Sequence, residues 1–258
     1  MKNASRHCLL RWLLVSVMFF GMQVSAADDE AESGGAENAS NPLAAVSSTD
    51  LRMQHLDLTG DGLRLNDFFV DGAFMINPKL KFKYELHYWD TNLSGSSEQG
   101  LESALVKLIY FPKQGVFSDG TKYRVAVGMD YIHDLGDTDK GIGFGANQVG
   151  PFVGLALSLK SGMSLIPLLQ HYTNVSGPDI NTTALRLIAL QSFNTTWWLK
   201  ADAKLPYDWE NDTVPATAEF QLGNNISDSK AIYIEGLIGV GSDRLYDWGV
   251  GLGFRFKY

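Results

Sequence analysis

The sequence predicts an all-β fold, a transmembrane antiparallel up-and-down β-barrel of twelve strands. The last eleven residues alternate strictly between apolar and glycine or cationic side chains, the chain begins with a secretion signal, and no later segment is apolar enough for a membrane helix. We expect a signal peptide at 1–26, an acidic flexible N-terminal leader at 27–50 and an outer-membrane β-barrel at 51–258.

The C-terminal strand has the clearest pattern. Every second residue belongs to one apolar face, made of Trp248, Val250, Leu252, Phe254, Phe256 and Tyr258. A period of two indicates a strand whose faces meet different solvents, and the apolar face suits lipid. The alternative, an edge strand of a soluble β-sandwich, would need a second sheet to cover these side chains. A terminal aromatic resembles the signature read by barrel-assembly machinery, so we expect that partner at Tyr258.

The first 26 residues have the features of a signal peptide. Three cations precede an apolar stretch at 12–21, and small residues at 24–26 stand where signal peptidase cleaves. We therefore expect a location in the bacterial outer membrane of a Gram-negative cell. The partners expected there are outer-membrane lipid and lipopolysaccharide.

Composition excludes several other classes of protein. The only cysteine, Cys8, lies in the signal, so the mature chain has no thiol for disulfides, cysteine catalysis or thiolate metal sites. Removing the signal leaves 18 Lys+Arg against 29 Asp+Glu, a charge of −11 that argues against nucleic acid as a partner. We predict no cofactor.

No segment after residue 26 approaches the roughly 18 consecutive apolar residues of a membrane helix, and a closed barrel is the other structure that satisfies its backbone in lipid.

The mature N-terminus is strongly acidic. The segment 28–41 lacks cations, is rich in Ser, Gly, Ala and Asn, and carries Asp28, Asp29, Glu30, Glu32 and Glu37. This composition predicts a disordered leader in the periplasm. A plug inside the lumen is the alternative, but the segment has no large apolar residue to anchor it.

Turn residues divide the rest of the chain into strands. The predicted strands are 51–58, 66–76, 79–90, 101–112, 122–133, 148–160, 163–174, 181–192, 196–206, 215–226, 230–241 and 247–258. The even number places both termini in the periplasm. The first strand is the weakest because it alternates poorly.

The lengths of the connections agree with this count, because such barrels have short periplasmic turns and longer external loops. The even-numbered connections are short at 77–78, 161–162, 193–195 and 227–229, but the one at 113–121 is long. The odd-numbered connections, which are longer on average, fall at 59–65, 91–100, 134–147, 175–180, 207–214 and 242–246. The exception at 113–121 leaves a miscount of strands open.

Alternation also assigns the charged residues to the lumen. A Lys or Arg facing lipid at mid-membrane would cost about 2–4 kcal/mol, so the charged phase of each strand must face inward. The predicted pore-lining residues are Lys79, Lys81, Lys83, Glu85, Arg124, Asp130, Arg186, Lys200, Asp202, Lys204, Glu219, Glu235 and Arg255.

Whether the lumen is open depends on the size and charge of these inward side chains. Twelve strands lie between small barrels filled by side chains and porins with a water channel. Free space is suggested by small inward residues, namely Gly128, Gly154, Ala156, Gly249, Gly251 and Gly253. The mixed charges could instead pair across strands and fill the interior. The sequence therefore leaves open a narrow channel for a small solute and a non-conducting barrel with a structural or surface-interaction role.

An enzyme is a less favoured alternative. The four mature histidines, His55, His87, His133 and His171, fall toward the outer half of odd-numbered strands. None has a serine in the His-x-Ser spacing used by some barrel acyl hydrolases, and we predict no catalytic residues.

Two acidic loops raise the hypothesis of a calcium site, because carboxylate oxygens at alternate positions suit that ion. The loop residues are Asp134, Asp137 and Asp139 in one loop, and Asp208, Glu210 and Asp212 in the other. Both loops lack the twelfth-position glutamate of an EF-hand, and solvated loops are often acidic, so we assign no metal ligand.

Five segments carry a resemblance to a known family: N-D-F-F-V-D-G-A-F at 66–74, Y-E-L-H-Y-W-D-T at 84–91, A-L-R-L-I-A-L-Q at 184–191, D-W-E-N-D at 208–212 and D-W-G-V-G-L-G-F-R-F at 247–256. Over 42–258 the chain resembles the outer-membrane proteins of the meta-pathway phenol-degradation family. The resemblance implies a barrel that transports small, often hydrophobic or aromatic molecules. None of these motifs is catalytic or diagnostic of one substrate.

Overall fold

A computed structural model describes residues 38–193 and 196–258. Its strands are β1 (Ser48–Leu58), β2 (Arg64–Asn77), β3 (Leu80–Thr91), β4 (Glu98–Val116), β5 (Lys122–Asp134), β6 (Asn147–Ser158), β7 (Met163–Ser176), β8 (Asn181–Ser192), β9 (Trp197–Asp208), β10 (Ala216–Ser227), β11 (Lys230–Val240) and β12 (Tyr246–Lys257). Each strand pairs with its sequence neighbours in antiparallel register, and β1 pairs with β12. The predicted twelve-stranded closed barrel is confirmed.

The connections agree with the count of strands. At the end of the barrel where β1 begins and β12 ends, here called the proximal end, the turns are short; the opposite, distal end carries the longest connection, 135–146. The predicted long turn at 113–121 is an error of strand length, since β4 continues to Val116. The register shifts between Tyr110 and Lys113, and the Phe117 N–H bonds the Thr121 carbonyl at 2.9 Å to close a short turn. The bulge interrupts the alternation that would have revealed the longer strand.

The alternation of each strand separates a lipid-type surface from the lumen. Every strand exposes large apolar side chains on one face, such as Leu51, Phe74, Leu187 and Leu252, while charged side chains lie on the other face, inside the barrel. Within the described residues, no helix is long and apolar enough to cross a membrane.

The boundary between leader and barrel differs from the predicted one. β1 begins at Ser48 rather than at residue 51, and Ser40, Asn41, Leu43 and Ala44 are buried. We call residues 38–47 the lumenal segment. The acidic residues at 28–37 lie outside the described residues. The expectation of a flexible leader is therefore wrong for 38–50, because Leu43 supplies the apolar anchor that 28–41 lacks.

The glycines of the lumen wall do not leave free space, as the sequence suggested. A Cβ built on Gly253 would lie 2.1 Å from the ring of Tyr233, and one on Gly128 would lie 2.4 Å from the ring of Phe152. The other glycines of this set are covered in the same way, Gly154 by Leu168, Gly249 by Leu56 and Gly251 by Glu235. Large side chains lie flat against the wall wherever the neighbouring strand has no Cβ.

Candidate functional site in the barrel lumen

The lumenal segment crosses the proximal part of the lumen and is anchored there by an apolar cluster. Leu43 is 1% exposed and sits among side chains from several strands. The buried members around it are Ile109, Phe111, Ala126, Phe152, Ala156, Ile166 and Ile188, with Met75 and Leu168 packed against them. Since these residues come from one wall of the barrel, Leu43 seals that side.

Three predicted pore-lining cations bind the lumenal segment instead of facing open solvent. Lys81 Nζ donates to the Ala44 carbonyl at 2.8 Å, and Arg124 Nη1 donates to the Leu43 carbonyl at 3.1 Å. Arg255 Nη1 donates to Ser40 Oγ at 2.9 Å.

On the opposite wall, the segment joins a buried polar network. Ser40 Oγ donates to Gln221 Oε1 at 2.7 Å, and Trp198 Nε1 donates to the same oxygen at 3.1 Å. Arg255 also binds Asp50 through Nε at 2.8 Å and Nη2 at 2.6 Å. The side chains at this level are buried, so the lumen is closed at its proximal end.

Above this level, a belt of ion pairs lines the middle of the lumen. Arg52 lies 2.6 Å from Glu235 and 3.7 Å from Asp71. Lys83 lies 3.8 Å from Asp71 and 2.6 Å from Glu85.

The belt continues through a histidine on the outer side of Glu85. His87 bonds Asp67 at 2.9 Å through Nδ1 and Glu85 at 3.3 Å through Nε2. Its ring stacks on Phe69 with the ring centroids 4.6 Å apart. Carboxylates on both sides of the imidazole explain why a polar ring is held inside the barrel.

The belt then passes from β4 to β7 around one buried carboxylate. Lys107 Nζ lies 2.9 Å from Asp130, and Gln170 Nε2 donates to the same carboxylate at 2.8 Å. The Asp130 side chain is fully buried.

On β8 to β10 the pairs again share carboxylates. Arg186 donates to Asp202 from Nε at 2.8 Å and from Nη2 at 2.5 Å. Lys200 lies 2.6 Å from Glu219 and 3.7 Å from Asp202. The mixed charges therefore pair across strands, as one of the two sequence interpretations expected.

The middle of the lumen nevertheless has solvent-accessible charge. The Arg186 side chain is 37% exposed, and Lys204, beside it on β9, is exposed as well. Both lie on the inward phase of their strands, so this exposed surface faces the lumen. The structure thus has an accessible middle level above a closed proximal level.

Of the predicted pore-lining residues, Lys79 is placed elsewhere. It is exposed in the turn between β2 and β3, where its backbone N–H bonds Asn77 Oδ1 at 2.9 Å. This bond extends the turn beyond the predicted 77–78 and removes Lys79 from the strand. The others face the lumen, where the structure places Lys81, Lys83, Glu85, Arg124, Asp130, Arg186, Lys200, Asp202, Lys204, Glu219, Glu235 and Arg255.

Several lumenal charges escaped the sequence analysis, namely Asp50, Arg52, Asp67, Asp71 and Lys107. Those on β1 were hidden because that strand alternates poorly. Lys107 is flanked on its own inward phase by Leu105 and Ile109, so the middle of β4, at 104–110, is apolar on both faces apart from this lysine.

The outward histidines make local polar contacts. His55 bonds Asn66 at 2.7 Å, His133 bonds Asn147 at 2.9 Å, and His171 bonds the Thr183 hydroxyl at 3.0 Å. Thr183 Oγ1 also accepts a hydrogen bond from Trp209 Nε1 at 2.9 Å. Within the described part of the chain, no histidine hydrogen-bonds a serine hydroxyl.

The acidic loops use their carboxylates to hold backbone amides. Asp134 Oδ2 accepts from the N–H groups of Phe144 at 2.9 Å and Gly145 at 2.7 Å, and Asp208 Oδ1 accepts from the Glu210 N–H at 2.9 Å. Across residues 38–193 and 196–258, no group of three or more His, Cys, Asp or Glu side chains is arranged to hold a metal ion. Asp134 and Asp208 therefore each hold the backbone of their own loop.

Comparison with known proteins gives a likeness in fold. No protein-family profile and no curated protein matches the chain in sequence. Among solved structures, a NanC porin matches with a TM-score of 0.63 and 14% identity, over 81% of this chain and 100% of that one. An outer membrane channel from Pseudomonas putida F1 matches with a TM-score of 0.61 and 7% identity, over 89% and 100% of the two chains.

A third match is KdgM porin in complex with disordered oligogalacturonate, with a TM-score of 0.57 and 10% identity over 82% of this chain and 99% of that one. At these identities the likeness establishes the fold. Membership in the meta-pathway phenol-degradation family is not confirmed by these matches.

Proposed function

We propose that this chain is an outer-membrane channel for small solutes, closed at its proximal, periplasmic end by the lumenal segment in its resting state. The observation that carries the proposal is the contrast between two levels of the lumen. Arg186 and Lys204 are accessible inside the barrel, whereas Leu43 and the side chains around it are buried. A solute entering from the distal end therefore reaches the charged belt before it meets a barrier.

The surroundings of the barrel support the location. Large apolar side chains on the outer face of every strand suit a lipid environment. The structural matches include proteins described as porins and as an outer membrane channel. We propose that outer-membrane lipid and lipopolysaccharide contact this face, and that barrel-assembly machinery reads the strand ending at Tyr258.

The proposed mechanism is passive diffusion past paired charges. Charged side chains that pair with each other along the wall stay out of the path of the solute. Because the belt contains both cations and anions, it selects only weakly between positive and negative ions. The family resemblance favours small solutes with apolar or aromatic character. Transport then requires that residues 38–47 leave the proximal lumen, at least for a time.

The attachment of the lumenal segment allows such a release. It is covalently continuous with β1, and most of its described contacts to the wall are side-chain contacts through Leu43, Lys81, Arg124 and Arg255. No strand of the barrel needs to unpair when these contacts break. Local opening of this kind occurs at a lower free energy than unfolding of the barrel.

Planar-bilayer recording tests the proposal. The mature chain is compared with a variant that lacks residues 28–46, and a heat-denatured sample controls for leakage. We expect brief or small current steps from the mature chain and larger, longer-lived steps from the truncated one. A truncated barrel that is folded, as shown by its heat-modifiable gel mobility, but electrically silent would contradict the channel function.

The runner-up is a non-conducting barrel with a structural or surface-interaction role. The observation that favours it is the completeness of the ion pairing, since the belt carboxylates of Asp71, Glu85, Asp130, Asp202 and Glu235 all have a cation within 4.0 Å. This role predicts that the truncated barrel stays silent in the same recordings.

A further inference from the structure

The lumen contains two neighbouring cations whose hydrogen-bond donors are not fully used. Arg186 on β8 and Lys204 on β9 are direct partners in the register of these strands, and both face the lumen. Asp202 binds Nε and Nη2 of Arg186, and the structure shows no protein partner for its Nη1 among the described residues. Lys204 likewise has no ion pair or hydrogen bond in the described part of the chain.

The arrangement is fixed before any ligand arrives. Asp202 is 5% exposed at its side chain and holds the Arg186 guanidinium in a two-point contact, which sets the direction of the free Nη1 edge. Directly paired residues on adjacent antiparallel strands have Cα atoms about 4.5–5.5 Å apart. The Lys204 ammonium can therefore reach the same ligand as the Arg186 edge.

The charge balance around this pair defines the ligand. Arg186, Lys200 and Lys204 face two carboxylates, Asp202 and Glu219, so the cluster on β8 to β10 carries one excess positive charge. A ligand with one negative charge neutralises it.

Two charged groups on other strands of the lumen wall act on Lys204, and both are bound to other residues. Glu85 and Lys107 lie within electrostatic range of Lys204. Each is already engaged, Glu85 by Lys83 at 2.6 Å and Lys107 by Asp130 at 2.9 Å. Lys204 thus has no carboxylate of the described residues within ion-pair distance, although Asp202 and Glu85 lie in its electrostatic range.

We infer that Arg186 and Lys204 form a binding site for a small monocarboxylate inside the lumen. The two oxygens of the carboxylate accept hydrogen bonds from Arg186 Nη1 and Lys204 Nζ, and the rest of the molecule points along the lumen. This inference rests on the proposed channel function for the route by which the solute enters, and it narrows the solute class to molecules with a single carboxylate.

Binding is measured separately from conduction. Refolded mature protein in detergent is titrated with benzoate and with benzamide, its neutral counterpart of similar shape, and binding is followed by ligand-detected NMR. Lys204→Gln removes the ammonium group and its positive charge. Because Lys204 forms no ion pair or hydrogen bond with the described residues, we expect this variant to fold. Lys230→Gln, at an exposed position beside the proximal turn, is the matched control for the loss of one positive charge.

We expect benzoate to bind more tightly than benzamide to the mature chain, and Lys204→Gln to weaken benzoate binding about 10-fold, as loss of one charge-assisted hydrogen bond does. Benzamide binding stays unchanged, and so does benzoate binding to Lys230→Gln. Equal affinities for the two ligands, or equal benzoate affinity in Lys204→Gln and the mature chain, would overturn the site. If benzoate binds but the barrel never conducts, the carboxylate site is supported and the channel function is rejected. If the barrel conducts but binds benzoate and benzamide equally well, the channel function is supported and the site is rejected.

Discussion

Replacing Leu43 with alanine should release the lumenal segment without unfolding the barrel. Leu43 is 1% exposed, and its neighbours Ile166 and Ile188 are fully buried. Leucine-to-alanine changes at such positions cost about 2–5 kcal/mol, made up of lost transfer free energy and the cavity that remains. The strands around Leu43 are fixed by the closed barrel and cannot collapse into the cavity, so the upper half of this range applies.

The substitution lowers the free energy needed to open the segment, because residue 43 enters water when the segment leaves the lumen. A cost of about 3.5–5 kcal/mol raises the open population roughly 400-fold to several thousand-fold. The free energy of unfolding of the barrel falls by no more than the free energy of opening the segment, because the barrel unfolds from the opened state once that state predominates.

Thiol labelling measures the open population directly. The mature chain has no cysteine, because Cys8 lies in the predicted signal peptide. Ser40→Cys therefore introduces a single thiol into the buried part of the lumenal segment, and its rate of reaction with a water-soluble maleimide reports opening. We compare this variant with and without Leu43→Ala, and with Leu199→Ala, a change on the outer face, as control. Equal labelling rates with and without Leu43→Ala would refute the anchoring role of Leu43.

Three other perturbations follow from the structure. Asp202→Asn removes a buried carboxylate from between Arg186 and Lys200 and should lower the free energy of unfolding by about 1.5–3 kcal/mol, measured by urea unfolding in detergent. Gly253→Val forces a side chain into the ring of Tyr233 and should cost about 1–3 kcal/mol in the same assay, with Gly236→Val, where an added Cβ meets open space on β11, tested for comparison. Asp243 accepts the Val214 N–H at 2.8 Å between two distal loops, and this bond lowers the pKa of Asp243. A lowered pKa means that the contact stabilises above the ordinary aspartate pKa of about 3.9 and is lost as the pH falls below it. Hydrogen exchange of the Val214 amide, corrected for its intrinsic rate, should therefore lose protection below about pH 4; constant protection would contradict the assignment.

The fold followed from the sequence because lipid imposes a strict rule on each strand. A charge on the outer face is so costly that a strand such as β3, with Lys81, Lys83 and Glu85 on one phase, can be oriented in only one way. Where both phases are apolar, as around Lys107 in β4, the rule gives no signal.

The closed state of the lumen could not be read from the sequence in the same way. The composition of 28–41 indicates disorder, and the decisive side chain, Leu43, lies just beyond it. Its binding site is assembled from strands far apart in the sequence, including Ile109 and Ile188. The glycines were misread for a related reason, since the ring that covers Gly253 belongs to a neighbouring strand.

The central claim is that the lumenal segment controls current through the barrel, and recordings of one variant before and after bridging test it most directly. Ser40 Oγ and Gln221 Oε1 lie 2.7 Å apart, so cysteines at these two positions can be joined by a short bis-alkylating reagent while the segment is in the lumen. In the Leu43→Ala background, single-channel recording should show current steps before this reaction and none after it. Current steps of unchanged size and frequency after complete bridging would contradict the account.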